Sequence, residues 1–184
     1  MFEKMKPAIA LFVITLVAGI SLGFVFDITK GPIAEQKALN EANTVAVLIP
    51  GTTGTESRDV AMEGSSVVKV ITCLSNGEVI GYAITAAPKG YSGAIELMVG
   101  FDTAGIIQGV EILSQTETPG LGANAEKPAF TNQFKGKSGK LTVTKSKAEA
   151  GAGTVDAITS ATITSNAVTL GVNDATEYFE EHIR

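Results

Sequence analysis

The stretch from Pro7 to Phe26, PAIALFVITLVAGISLGFVF, runs for 20 residues without a charged side chain. At about 1.5 Å of rise per residue, a helix of that length spans about 30 Å, the thickness of a bilayer's hydrocarbon core. The competing reading is a cleaved leader, whose apolar region is usually about 7–15 residues and ends at a small-residue cleavage site. The run is longer than that, and AGISLG offers small residues but no clear A-x-A site followed by polar sequence. The pattern therefore favours an uncleaved signal-anchor helix. Lys4 and Lys6 precede it, while Asp27 and Lys30 follow. By the positive-inside rule, residues 1–6 are cytoplasmic, 7–26 cross the membrane in contact with lipid, and everything after Phe26 lies outside.

Beyond the span, a break is expected at Gly31-Pro32, with a short solvated helix after it, because Pro32 suits a first helical turn. Residues 44–66 mix apolar residues with Gly, Ser and Thr and read as irregular connection, so 27–66 form a stalk and 67–184 a folded domain. Within that domain, VVKVITCLS and EVIGYAIT flank Asn76-Gly77, a pair that favours positive φ and closes a hairpin. AIELMVGFD and IIQGVEILS flank Thr103-Ala104-Gly105 and make a second hairpin. Residues 127–137 suggest a short helix with Ala129, Phe130 and Phe134 on one face, and KLTVTK a short strand. Ala161, Val168, Val172, Ala175 and Phe179 keep helical spacing to the last residues. The expected class is α+β: one transmembrane helix, then an antiparallel sheet with flanking helices.

Composition removes several functions. The formal charge is −5 and there is no Lys/Arg run, so nucleic acid is not an expected partner. The single cysteine, Cys73, sits in an apolar strand and reads as a buried free thiol, leaving no internal disulfide or cysteine-based metal cluster. The single histidine, His182, reads as a solvated helix-end residue, so no Ser-His-Asp triad is available. Neither a P-loop nor a dinucleotide fingerprint is present, and no metal site is expected.

Three segments remain that could carry chemistry. GYSG (90–93) places two glycines around Tyr91 and Ser92, either as an ordinary turn or as a place of close approach. QTETPGLGANA (115–125) has turn signals at Pro119-Gly120 and Gly122, with Glu117 and Leu121 expected to project from the loop. Such a loop is a plain connector or a grip for a planar ligand through backbone donors and one apolar side chain. VDAITSATITSNAV (155–168) carries five hydroxyls between Asp156 and Ser165, at Thr159, Ser160, Thr162, Thr164 and Ser165, where the last helix begins. One N-cap needs one residue. A helix N-terminus also attracts phosphate, so multiple capping and an esterified hydroxyl both stay open.

Asp156-Ala157-Ile158-Thr159-Ser160-Ala161-Thr162 resembles the signature of the FMN-binding-domain family: Asp, two spacers, Ser/Thr, Gly/Ser, Ala, Thr/Ser. Glu117–Ala123 (ETPGLGA), the GYSGAI…MVG…ILS strands and the anchor followed by DITKGPIAEQ are similar to the same family, in particular its Rnf-type electron-transport subunits. Sodium-pumping NADH:quinone reductases contain a related subunit of the same family. The resemblance implies FMN joined by a phosphoester to Thr162, with Glu117, Thr118, Gly120, Leu121, Gly122, Thr159, Ser160, Ala161 and Thr164 around it. It further implies that Asp156, Thr159, Ser160, Ala161 and Thr162 are read by an ApbE-type, magnesium-dependent flavin transferase that uses FAD. The expected partners are the other membrane subunits of an Rnf-type complex coupling ferredoxin and NAD to ion movement. Ser160 stands where members often have Gly, and Gln115-Thr116 where they commonly have His, which removes an imidazole from that loop. The alternatives are the quinone-reductase subunit, a non-redox extracytoplasmic binding or assembly module, and, more weakly, a flavin reductase.

Overall fold

The computed structural model describes residues 2–145 and 153–184, with side chains from residue 5 onward. The chain divides into two compact units, Met1–Glu41 and Ala42–Arg184.

The first unit lies within helix α1 (Phe2–Leu48). From Met5 on, α1 is the one helix among the described residues long and apolar enough to cross a membrane, and its most apolar stretch has no buried residue. Leu11, Phe12, Phe24 and Phe26 all point outward, so the surface is apolar all round, as a lipid-facing helix requires. The Thr15 and Thr29 hydroxyls donate to the carbonyls of Leu11 and Val25 at 3.0 and 2.8 Å, which keeps polar atoms satisfied inside the helix. The expected break at Gly31-Pro32 does not occur, since α1 continues through both residues. Proline removes one hydrogen bond and crowds the carbonyl four residues back, a local defect. The good helix formers from Ala34 to Leu39 carry the helix past it.

The second unit is built on a five-stranded antiparallel meander, ordered β1 (Gly54–Asp59), β2 (Val67–Ser75), β3 (Glu78–Ala86), β4 (Glu96–Asp102) and β5 (Ile107–Ser114). Both predicted hairpins form. Asn76 and Gly77 turn with φ of 52° and 87°, as that pair allows. At the second turn the Asp102 carboxylate accepts from the N–H groups of Ala104 and Ile106, both at 2.9 Å. Strand β1 corrects the expectation that residues 44–66 are irregular, as does α1 itself, which reaches Leu48. GTESRD is an exposed polar edge strand, so it has no alternation to read.

The sheet is covered on both faces, which is why β4 is buried along its length. On one face Ile84, Leu97, Val99, Phe101 and Val110 meet helix α3 (Thr162–His182) through Val168, Val172, Ala175 and Phe179. Phe179 stacks on Phe101 at 5.2 Å and meets Tyr82 edge-on at 5.6 Å. On the other face Val45, Leu48 and Ile49 pack on Ile71, Cys73, Ala83 and Met98. That seat is cut by glycines: a Cβ at Gly100 would lie 2.8 Å from Leu48 Cβ, and one at Gly109 2.8 Å from Leu48 Cδ2. Gly100 and Gly109 are register partners on β4 and β5, so together they form a trough for Leu48.

The remaining pieces are a 3-10 turn (Gly122–Glu126), helix α2 (Pro128–Thr131) with a second 3-10 turn (Asn132–Phe134), and a parallel pair, β6 (Thr142–Thr144) and β7 (Thr154–Asp156). Phe130 and Phe134 are buried as expected, edge to face at 5.5 Å, but Ala129 is exposed because the helix stops after one turn. The first strand of the parallel pair was legible as KLTVTK, whereas the second, ending in Asp156, was not.

Candidate cofactor site

The hydroxyl-rich segment leaves β7 at Asp156 and is held from outside before the helix starts. Gln133 pairs with the Asp156 backbone as a neighbouring strand would: its Oε1 accepts from the N–H at 2.7 Å and its Nε2 donates to the carbonyl at 3.3 Å. The chain then turns through Ser160, whose φ is +61°, a conformation that costs an L-residue roughly 1–2 kcal/mol. A glycine there would carry no such cost, the physical sense of the Gly/Ser alternation in the signature.

Helix α3 begins at Thr162 with Ala161 at the N-cap, and no side chain caps it. Its first N–H groups have no intrahelical partners and face outward with the positive end of the helix dipole. The nearby hydroxyls are spent elsewhere. Ser165 donates to the Ala161 carbonyl and accepts from the Ile158 N–H, both at 2.9 Å, tying the approach loop to the first turn. Thr164 donates to Glu117 Oε2. Multiple capping is thus not what the cluster does, and Thr162 stands at the first helical position on the wall of a cavity.

Opposite lies the loop 115–126. Its backbone folds on itself, with the N–H groups of Leu121 and Ala123 donating to the Thr118 carbonyl at 3.1 and 3.2 Å. Gly120 turns at φ +81°, and Asn124 Nδ2 donates to its carbonyl at 2.8 Å. Leu121 projects as expected. Glu117 does not: it is only 5% exposed, and its Oε1 accepts from the Ser92 N–H at 2.8 Å. This one carboxylate joins three segments, the GYSG loop, its own loop and the head of α3. The glycines around it are obligatory, since a Cβ at Gly122 would lie 2.6 Å from both Glu117 Oε2 and Thr164 Oγ1.

Between these walls is a cavity of about 510 Å³, within the roughly 300–1,000 Å³ common for small-ligand sites. Of the predicted residues it gathers Glu117, Thr118, Leu121, Gly122, Ser160, Ala161, Thr162 and Thr164. Gly120, Thr159 and Asp156 instead line a second cavity of about 780 Å³, which shares Leu121 and Ser160 with the first and adds Lys127, Gln133 and Lys137. Asp156 Oδ1 is buried there without a hydrogen-bond partner among the described residues. Two residues of the first cavity lie outside the expected cofactor contacts. Ile163 follows from its place beside Thr162, and Tyr91, 70% exposed at the mouth, was signalled by the glycines flanking it.

Both loops and most of α3 fall within residues 90–177, which match the FMN-binding domain. Over 95% of its length the chain is 36% identical to a subunit of the Na(+)-translocating ferredoxin:NAD(+) oxidoreductase complex of Acetobacterium woodii, covering 91% of that protein. It is also 39% identical, over 88% of its length and 83% of the relative's, to a subunit of the proton-translocating ferredoxin:NAD(+) oxidoreductase complex of Clostridium ljungdahlii. The chain belongs to the FMN-binding-domain family. Among solved structures, a subunit of the Na(+)-translocating NADH-quinone reductase of Parabacteroides distasonis superposes with a TM-score of 0.54 at 25% identity, over 70% of this chain and 77% of that one.

The cavity fits FMN by its own chemistry. The uncapped head of α3 suits a phosphate group. Tyr91, Leu121 and Ile163, all exposed at the cavity, suit a planar aromatic ring with one edge toward solvent. Gly122 leaves the room in which Glu117 and Thr164 meet at the cavity wall.

Proposed function

We propose that this FMN-binding domain carries its flavin covalently, through a phosphoester on the Thr162 hydroxyl. We further propose that the chain is the electron-carrying subunit of an Rnf-type ferredoxin:NAD oxidoreductase complex that moves ions across a membrane. The observation that carries this reading is the position of Thr162: first residue of an uncapped 21-residue helix, on the wall of a cavity bounded by the ETPGLG loop. FMN bound there supplies one- and two-electron chemistry. The protein's part is to tether and orient it. Thr162 holds the phosphate, the head of α3 neutralises it, and Ala161 and Ser160 shape the turn that presents the hydroxyl. Thr118, Leu121, Gly122 and Thr164 form the wall, while Gly120 and Thr159 shape its edge from the neighbouring cavity.

An ApbE-type flavin transferase would install the group from FAD, reading Asp156, Thr159, Ser160, Ala161 and Thr162. Residues 7–26 are assigned as the membrane span in contact with lipid, 1–6 as cytoplasmic, and 67–184 as the FMN-binding domain on the extracytoplasmic side; of the 27–66 expected as stalk and connection, β1 and residues 45–49 join that domain. The lysines before the span support that orientation. Partners are then the other membrane subunits of the complex. The structural likeness to a quinone-reductase protein keeps that type as a second reading. The identity of 36% and 39% to two ferredoxin:NAD(+) oxidoreductase subunits over most of the chain favours the Rnf type.

The test is co-expression with a flavin transferase, followed by intact mass and in-gel flavin fluorescence under denaturing conditions. Wild type and Thr162→Ser gain one FMN moiety, and Thr162→Val gains none. A fluorescent Thr162→Val band, or an unmodified wild type, overturns the assignment.

A further inference from the structure

We propose that Glu117 is the electrostatic determinant of the cofactor cavity, a fixed negative charge with no cationic partner among the described residues, which lowers the reduction potential of the FMN held there. The inference rests on the FMN reading above and adds a role for one residue that neither the family match nor the relatives' names assign.

The geometry is specific. Glu117 lines the cavity yet is 5% exposed, and both its oxygens are held by neutral donors, Oε1 by the Ser92 N–H and Oε2 by the Thr164 hydroxyl. Hydrogen bonds from neutral donors fix a carboxylate in place without cancelling its charge. Among the described residues no Lys, Arg or His lines this cavity, and none pairs with Glu117. Lysines line the second cavity instead, where Lys137 Nζ donates to the Thr154 carbonyl. Glycines seal the carboxylate on two sides: a Cβ at Gly90 would lie 2.8 Å from Oε1, and one at Gly122 2.6 Å from Oε2. With backbone packed so closely, little water screens the charge, and its field acts on a neighbour more strongly than it would in bulk solvent.

Two-electron reduction of FMN held there, with uptake of one proton, would add one negative charge to the ring. A carboxylate in the wall opposes the added electron density and so favours the oxidised ring. The potential of the bound flavin is therefore held below the value it would have in an uncharged cavity of the same shape.

The experiment uses the full chain in detergent, flavinylated by co-expression with the transferase and titrated with dithionite against a reference dye. Glu117→Gln keeps the shape, since its amide oxygen can accept from Ser92 and its NH₂ can donate to the Thr164 oxygen, and it removes only the charge. It shifts the oxidised-to-reduced ratio at fixed ambient potential tenfold toward reduced, which is about 30 mV for a two-electron couple. Thr164→Val keeps the charge and removes one of its holders, so its potential does not rise. An unchanged or lowered potential in Glu117→Gln overturns the proposal. So does an equal rise in Thr164→Val, which would make the effect structural. If Glu117→Gln is not flavinylated, the same quantity is read from free FMN bound to the unmodified chain, as the ratio of its dissociation constants in oxidised and reduced form. A ratio equal to that of wild type overturns the proposal equally. Failure of the wild type to take up covalent flavin counts against Thr162 alone, because the free-FMN ratio still tests Glu117.

Discussion

Gly122→Ala isolates the contact on which the cofactor cavity depends. The added Cβ would lie 2.6 Å from Glu117 Oε2, 2.6 Å from Thr164 Oγ1 and 2.9 Å from Glu117 Cβ. None of these atoms yields easily. Thr164 is β-branched and sits in the first turn of α3, where its rotamers are few. Glu117 Cβ is one bond from the backbone, and its carboxylate is pinned to Ser92. The least costly adjustment is to part Thr164 from Glu117. Overpacking a filled site costs about 1–3 kcal/mol, and losing a hydrogen bond to a charged group about 1.5–3 kcal/mol. Replacing glycine returns about 0.4–1 kcal/mol through the unfolded chain. The net loss is then about 1.5–5.6 kcal/mol, and at roughly 3 °C per kcal/mol for a domain of this size Tm falls by about 5–17 °C.

The sequence contains no tryptophan, so calorimetry of the flavin-free chain in detergent is the suitable assay. Gly120→Ala is the matched control two residues away. Its φ is +81° but no atom lies within 4 Å of the added Cβ, so only the backbone penalty of roughly 1–2 kcal/mol applies. If Gly122→Ala stays within about 0.5 kcal/mol of wild type, or is less damaging than Gly120→Ala, the Glu117–Thr164 contact does not organise the site.

Gly100→Ala brings a methyl to 2.8 Å from Leu48 Cβ and should cost about 1–3 kcal/mol, with faster amide hydrogen exchange over residues 45–49 as that segment lifts from the sheet. Ser160→Gly removes left-handed strain at φ +61° and should raise the calorimetric Tm by a few degrees with flavin attachment unchanged, whereas Ser160→Val lowers it. Burial pushes the Cys73 thiol above its ordinary 9.0, so the folded state favours the protonated form. This contribution to stability is full below pH 9.0 and falls as the unfolded thiol ionises above it, until the folded thiol ionises too. Urea midpoints between pH 7 and 10 measure the decline, and Cys73→Ala should lose that part of the slope.

The parts of this molecule legible in its sequence are those written in local chemistry. Asn76-Gly77 demanded positive φ and produced a hairpin, and the apolar spacing from Val168 to Phe179 produced the buried face of α3. The Asp156–Thr162 signature brought Ser160, Ala161 and Thr162 onto one wall. What escaped depends on partners distant in sequence. β1 exists because β2 offers it hydrogen bonds, and its own residues are polar on both sides. α1 passes Gly31-Pro32 because one lost bond does not outweigh the helix formers beyond. Glu117 read as a projecting loop residue because neither of its holders is near it, Ser92 lying 25 and Thr164 47 positions away. Tyr91 stayed outside the predicted site for the same reason, since the glycines around it mark a turn equally well.

The five hydroxyls between Asp156 and Ser165 are better explained by division of labour than by redundancy. Ser165 fastens the approach loop from inside the helix, and Thr164 reaches across to the buried carboxylate. Ser160 occupies the left-handed turn, and Thr159 faces the neighbouring cavity. Each of these duties leaves the head of α3 uncapped and Thr162 on the cavity wall. A cofactor tethered at that point does not need a closed pocket to stay bound, so the apolar rim of Tyr91, Leu121 and Ile163 can remain open. An open rim is a liability for a site that must retain its ligand by contact area alone, and an advantage for one that must pass electrons to a partner.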